Sequence, residues 1–277
     1  MAELTNGEGC FVLHPVRKRR KEDQVKETIE DIIREKPHLA DPFRFYQKTL
    51  KFTESVRGLR LPARPEMHSY PRESVDGIFE IFSAIFELPE GSLSPLKQAM
   101  VLNEIDLTRL PLGEIPAFSL PYPEDDLTML LFLISKPYFL GLRNVISMDN
   151  RPWEEGRCPL CNAQPSISWT GEEGRRQASC SFCGTVGYYD RIGCMICQNN
   201  DKQKQNVFEF QGEAGFRVNT CSACRSYVKT IEASMISRLG PEVADLMSLP
   251  LDIVVQEKGF ERRSPNPVGM RKISTHG

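Results

Sequence analysis

The sequence predicts a mainly helical fold with a small β component: an N-terminal helical domain, then two consecutive four-cysteine modules, then C-terminal helices. Three observations carry this. Apolar residues recur at helical spacing through most of residues 23–150. Eight of the nine cysteines fall as four Cys-x-x-Cys pairs between Cys158 and Cys224. After Cys224 the helical period returns. At 277 residues and 40% apolar content the chain can build a real core, and its length suits about two domains. The expected units are a basic, flexible segment at 1–22, a helical domain at 23–150, a first four-cysteine module at 151–193, a second at 194–224, and C-terminal helices with an extended tail at 225–277.

Residues 1–22 end in the run Arg17-Lys18-Arg19-Arg20-Lys21, which reads as a solvated tail. From Asp23, Val25, Ile29, Ile32 and Ile33 share one helical face, and Pro37 stops the helix. A second helix is expected near Asp41, with that residue as N-cap and Pro42 at the first helical position. It carries Phe43, Tyr46, Leu50 and Val56 and ends at Gly58 and Pro62. Ser74 opens a third helix whose stripe of Val75, Ile78, Phe79, Phe82, Ile85 and Phe86 reads as core rather than as a cofactor pocket. Ser94 and Pro95 start a fourth, to about Asn103. Pro111, Pro116, Pro121 and Pro123 then exclude regular helix and predict a draped loop.

A fifth helix from Glu124 to Ile146 is the most apolar and should be central. Its run Leu127 to Leu142 falls short of the ~20 residues that a membrane span needs and is interrupted by Lys136 and Pro137. The first 150 residues read as one helical domain with a single core and no active site. From Trp153 the composition shifts to Cys, Gly, Ser and Gln, with short candidate strands at "SISWT", "TVGYYDR", "NVFEFQG" and "GFRVNT". After Cys224, the positions Tyr227, Val228, Ile231, Met235 and Leu239 fit a helix, Gly240 and Pro241 a break, and Val243, Leu246, Met247 and Leu251 further helix. The tail after Gly259 is polar and is expected to be extended.

The four pairs are Cys158/Cys161, Cys180/Cys183, Cys194/Cys197 and Cys221/Cys224, separated by 18, 10 and 23 residues. A two-residue spacer lets both sulfurs of a pair face one tetrahedral centre from a tight turn, so two pairs close a four-thiolate cage. The two long gaps match or nearly match the spacing of such cages. Sequential pairing gives Cys158, Cys161, Cys180 and Cys183 to one centre and Cys194, Cys197, Cys221 and Cys224 to the other; on spacing alone an interleaved pairing stays open. No histidine lies between Trp153 and Cys224. All-thiolate ligation suits two mononuclear ions, zinc or rubredoxin-like iron, with iron–sulfur clusters a lesser option. A dithiol redox enzyme expects one pair at a helix N-terminus, not four at ribbon spacing. With every coordination position filled by protein, the ions would hold the fold and leave no open position for hydrolytic chemistry. Cys10 is left over as a free thiol.

Charge narrows the partners. The chain has 35 basic and 37 acidic residues, a net of −2, and between Arg151 and Cys224 the counts are eight and eight. Neither balance provides the basic field that tracks phosphates, so nucleic acid is not an expected partner. The basic N-terminal residues are followed by no apolar h-region. A cytoplasmic location is therefore expected, where thiols stay reduced.

The runs "LLFLISKPYF", "WEEGRCPLCNAQP", "CSFCGTVGYYDRIGCMIC", "CSACRSYVKT" and "DLMSLPLDIVVQEKGF", with Asn266-Pro267, together resemble the FdhE family of formate dehydrogenase accessory proteins. The resemblance covers about the C-terminal half. It implies a cytoplasmic, non-enzymatic assembly factor that binds the immature catalytic subunit of formate dehydrogenase, with two rubredoxin-like sites built from the eight paired cysteines. A zinc-ribbon nucleic-acid binder and a rubredoxin-like electron carrier are the alternatives. One departure bears on the sites. Gly often follows the second cysteine of such a knuckle; Gly184 keeps that pattern, whereas Asn162 and Gln198 replace it. Asn adopts left-handed backbone readily and Gln less so, which puts the second site's geometry and metal in question.

Overall fold

Helix starts and stops are set locally, and the sites rest on what those helices bury. The structure, a computed structural model, describes residues 28–57, 59, 69–115, 119–146, 148–171, 174–189, 192–210 and 214–273. The expected flexible segment 1–22 with Cys10, and Val25, Gly58, Pro62 and Pro116, lie outside the described residues. Helix α1 covers 28–35 and buries Ile29 and Ile32. Pro37 then starts a 3-10 turn, Pro37–Leu39, that runs straight into α2, Ala40–Arg57. Asp41 is therefore in the first turn of α2 and not its cap; an acid there still complements the helix dipole. Helix α3, Arg72–Phe86, begins two residues before Ser74, with Pro71 at its N-cap. Helix α4 spans Ser94–Val101 and α5 Glu124–Val145.

The proline-rich stretch is more regular than a draped loop. Residues Leu107–Leu112 form a 3-10 helix that includes Pro111, because the Asp106 carboxylate accepts the Thr108 N–H at 2.9 Å and caps it. Pro137 lies inside α5 without ending it. A proline there cannot donate, and its ring disturbs the preceding turn. The Tyr70 hydroxyl fills the opened step, accepting from the Tyr138 N–H at 2.9 Å and donating to the Ile134 carbonyl at 2.8 Å.

The helices do not share one core. Phe52 and Val56 of α2 join α3, α4, α5 and the first cysteine module in one cluster. Ile29 and Ile32 of α1, with Phe43 and Tyr46 of α2, pack instead with Ile167, Val218, Ile231, Leu246 and Val255 in a second. The single core expected for the first 150 residues is thus two, and each is completed by residues beyond 150. No helix among the described residues is long and apolar enough to cross a membrane.

Among the described residues seven strands form one sheet: β1 Ile167–Thr170, β2 Arg176–Ser179, β3 Val186–Tyr189, β4 Gln205–Glu209, β5 Phe216–Cys221, β6 Ser226–Ile231 and β7 Glu261–Arg262. Two antiparallel meanders, β1-β2-β3 and β4-β5-β6, meet where β1 pairs in parallel with β6, and β7 pairs in parallel with β6 beside that junction. Residues 226–231 are a strand and not the start of a helix. Their apolar positions fit either period, but Lys229 is buried too, and the β-branched Val228, Thr230 and Ile231 favour the pleated form. Helices α6 Ala233–Leu239, α7 Pro241–Met247 and α8 Leu249–Glu257 follow.

Beneath β6 lies a closed set of charges. Lys229 Nζ lies 2.6 Å from Asp245 and 2.5 Å from Asp252, and the Arg262 guanidinium meets Asp245 at 2.5 Å and Asp252 at 3.2 Å. Tyr227 donates to Asp252 at 2.7 Å. All four charged residues are at most 5% exposed, so desolvation is answered by this mutual pairing and by hydrogen bonds from Tyr227 and to the carbonyls of Asp245 and Ser264. The tail that supplies Arg262 is not extended into solvent. Ser264, Asn266 and Val268 are buried, and the Asn266 side-chain oxygen accepts from the N–H groups of Val268 and Met270. The expectation failed because a polar stretch can be buried when its own side chains satisfy its backbone.

Candidate metal centres

All four Cys-x-x-Cys pairs adopt one local geometry. The N–H of Cys158 donates to the Ala163 carbonyl, that of Cys180 to Thr185 and that of Cys194 to Asn199, each five residues on, at 2.8–3.0 Å. Residue 162, 184 or 198 donates back to the first cysteine's carbonyl at 2.9 Å. In the fourth pair the same five-residue closure is the β5–β6 hairpin, with Cys221 opposite Ser226. The turn requires a left-handed residue after the second cysteine. Asn162, Gly184, Gln198 and Arg225 have φ of 64°, 71°, 59° and 56°. Gln198 thus takes the knuckle conformation in full despite its side chain, and so does Arg225, which the sequence reading did not weigh.

The knuckles converge in sequential pairs. Sulfurs of Cys158, Cys161, Cys180 and Cys183 form one group and those of Cys194, Cys197, Cys221 and Cys224 the other, with all sulfurs of a group within 4.8 Å of one another. Cys158–Cys183, Cys161–Cys180 and Cys161–Cys183 are 3.5, 3.4 and 3.6 Å apart. Cys194–Cys224 and Cys197–Cys221 are 3.7 and 3.8 Å apart. Metal–sulfur bonds of about 2.3 Å set tetrahedral edges of about 3.8 Å, so each donor set fits one ion, zinc or iron. An ion held by all four sulfurs would have no position left for substrate.

The thiols' own electrostatics point the same way. Hydrogen bonds from Cys161, Cys180 and Cys183 hold the Cys158 thiol far below its ordinary pKa, whereas burial pushes Cys161 and Cys180 well above theirs. In the second group burial pushes Cys194 up to about 12 and also raises Cys197. Burial opposes ionisation of Cys224 too, but the Ser226 hydroxyl and Cys197 outweigh it and lower its pKa. Burial thus opposes ionisation of Cys161, Cys180, Cys194 and Cys197. A bound cation would supply the missing charge and deprotonate the thiols that coordinate it.

Two supporting hydroxyls escaped the sequence reading. Thr185 Oγ1 lies 3.1 Å from Cys183 Sγ and Ser226 Oγ 2.7 Å from Cys224 Sγ. Each stands two residues after the last cysteine of its group, a signal present in "CGT" and "CRS". The modules also touch each other. Met195, between the ligands of the third knuckle, is 1% exposed, and its carbonyl lies so close to Gly156 that a Cβ there would come within 2.3 Å of it. Adjacent tail residues reach both groups, Arg263 donating to the Cys224 carbonyl at 3.0 Å and Ser264 pairing with Ser181 at 2.9 Å.

Fold and site together define a class: a helical protein with two tandem zinc-ribbon-like modules in one sheet, each presenting four thiols able to hold one metal ion. Residues 192–268 match the family model "FdhE, C-terminal domain". The chain is 30% identical over 144 residues to a protein FdhE homolog of Aquifex aeolicus, covering 50% of this chain and 51% of that one. It is 27% identical over 204 residues to one of Rhizobium meliloti, covering 71% and 65%. The crystal structure of the FdhE protein from Pseudomonas aeruginosa has the same fold, with a TM-score of 0.62 at 19% identity over 88% of this chain and 94% of that one. The chain is thus similar to FdhE proteins in its C-terminal part and in its fold. The matched part spans about half to two thirds of the length of these curated relatives.

Proposed function

We propose that this protein is a cytoplasmic accessory factor that binds the immature catalytic subunit of formate dehydrogenase and is needed for its assembly or activation, acting as a binding protein and not as an enzyme. In this reading Cys158, Cys161, Cys180 and Cys183 hold one ion, zinc or rubredoxin-like iron, and Cys194, Cys197, Cys221 and Cys224 hold a second. Bound there, an ion braces the module around it; iron would add a one-electron couple. The observation that carries the proposal is the match of residues 192–268 to the FdhE C-terminal domain together with two complete four-thiol groups. The helices seat those modules, and no phosphate-binding loop motif competes with a binding role.

Capture under oxygen-free conditions tests it. The tagged chain should retain the catalytic subunit of formate dehydrogenase, and deletion should abolish formate oxidation while the dehydrogenase is still synthesised. Failure of capture together with normal formate oxidation in the deletion strain would remove the proposal. Elemental analysis and a visible spectrum of anaerobically purified protein separate zinc from ferric thiolate. One observation favours an electron-carrier reading, the solvent exposure of Cys197. A reversible iron couple that exchanges electrons with a partner, in a strain whose dehydrogenase matures without this protein, would favour that reading instead.

A further inference from the structure

A charge taken out of water costs several kcal/mol unless an opposite charge answers it. Four cationic side chains among the described residues are less than 9% exposed: Lys136, Arg176, Lys229 and Arg262. Three have carboxylates. Lys136 meets Glu242 at 2.5 Å, and Lys229 and Arg262 share Asp245 and Asp252. Arg176 has none among the described residues. Its guanidinium donates to the Gly193 carbonyl at 3.3 Å, one residue before Cys194. It lines, with Cys194 and Cys221, a small cavity of about 20 Å³. Burial pulls its pKa down, while Tyr189 and Cys194 act in the opposite direction.

Arg176 opens β2, in the first module, yet its guanidinium faces the second. A divalent ion with four thiolates carries a net charge of −2 and a trivalent one −1, and that charge is also buried on the Cys194 and Cys221 side. A guanidinium stays ionised in such surroundings. We infer that Arg176 is the counter-charge of the second four-thiolate centre, a positioning residue by which one module stabilises the metal-loaded state of the other. This inference rests on the reading that the second group binds an ion. It explains why a cation with no carboxylate partner among the described residues is buried at the seam, whereas Arg157, which donates to the Asn162 carbonyl beside the first group at 3.1 Å, is only half-buried.

The test uses the full chain loaded with zinc. Bound zinc is counted by native mass spectrometry, and its transfer to a chromogenic chelator is timed, with C197S identifying which phase belongs to the second group. In R176M and R176Q the second-group phase should quicken about tenfold or more, the scale on which one neighbouring charge shifts ionisation. The first-group phase should not change. R176K should return release to near the wild-type rate, a rescue that a purely steric role would not give. Wild-type rates in R176Q, or R176K as fast as R176M, would overturn the inference. Loss of the first-group phase in both neutral variants would also overturn it, since the residue would then support the whole fold. A wild-type chain that holds no zinc or iron at the second group would instead overturn the metal reading on which it stands.

Discussion

The two four-cysteine groups have the same ligands, the same knuckles and the same hydroxyl two residues past the last cysteine, yet they stand on different floors. The first is wholly buried and rests on apolar matter: Phe182, between its third and fourth cysteines, packs edge-on against Phe132 and Phe139 of α5 with ring centroids 4.9 and 5.6 Å away. The second exposes Cys197 and half-exposes Cys224, and its hairpin stands on the buried charges of Lys229, Asp245, Asp252 and Arg262. One ligand motif is thus seated in one place on apolar rings and in the other on paired charge set beside an apolar cluster of Val218, Ile231, Leu246 and Val255. The first group should therefore matter to the whole fold and the second mainly to its own neighbourhood.

The sharpest way to break that contrast is to remove one sulfur from each group. Structural zinc sites contribute on the order of 10 kcal/mol or more to the folded state. Cys180→Ser should lose the first ion and abolish cooperative unfolding of the helices with it. Cys197→Ser should lose the second ion while the helical core unfolds close to the wild-type temperature. Calorimetry with metal counts on both variants decides it; equal collapse in both would erase the distinction.

The floors come next. Phe182→Ala removes a buried ring and should cost about 3–5 kcal/mol, with zinc release quickened at the first group. Asp252→Ala leaves Lys229 and Arg262 with Asp245 as their one shared carboxylate, a buried positive charge in excess, and should cost about 3–5 kcal/mol, with release quickened at the second. Chemical denaturation and chelator kinetics together show whether the site effects segregate in this way.

Acid should find the charged floor first. Burial would raise the Asp245 pKa, but Arg262 and Lys229 together bring it below the ordinary value. An acid depressed in the folded state adds stability that is present above its unfolded pKa of about 3.9 and is lost as the pH falls through the folded value. Unfolding midpoints of the metal-loaded chain should thus drop below about pH 4, and Asp245→Asn, compared under the same conditions, should lose stability at neutral pH while showing a smaller part of that drop.

The smallest effect concerns the second group's knuckle. Left-handed backbone costs a residue with a Cβ about 1–2 kcal/mol, and glycine relieves most of it, less its greater freedom in the unfolded chain. Gln198→Gly should stabilise the second module by up to about 1 kcal/mol and slow its metal release. Gly184→Gln should do the reverse at the first. Unchanged release in both would mean that the turn is set by the ion alone.

The legibility of this molecule in its sequence follows the same divide. Cysteine spacing exposed the four pairs because ligand geometry is local to each pair, while which pairs converge took the fold to decide, and the long helices showed through their period, α5 to within a residue. What stayed hidden depends on distant partners. Lys229, Asp245, Asp252 and Arg262 are unremarkable charges until the sheet and α7–α8 bring them together. Residues 226–231 looked helical because an apolar pattern of 227, 228 and 231 suits both periods, and only the neighbours β1, β5 and β7 select the strand. Asp41 has the right chemistry for a cap, but the turn at Pro37–Leu39 extends the helix past it. The tail looked extended because its burial depends on Asn266 and on partners up to 83 residues away, such as Ser181.

Strand β6 draws neighbours from both directions of the chain, β1 from before it and β7 from after it. A polypeptide leaving the ribosome from its N-terminus completes the first cage once Cys183 has emerged. It presents Cys224 some forty residues later, but Arg262 must follow before the charges under β6 are balanced. The surroundings of the two centres are thereby completed at different times during translation, and the later one waits for a segment made nearly forty residues after its last cysteine.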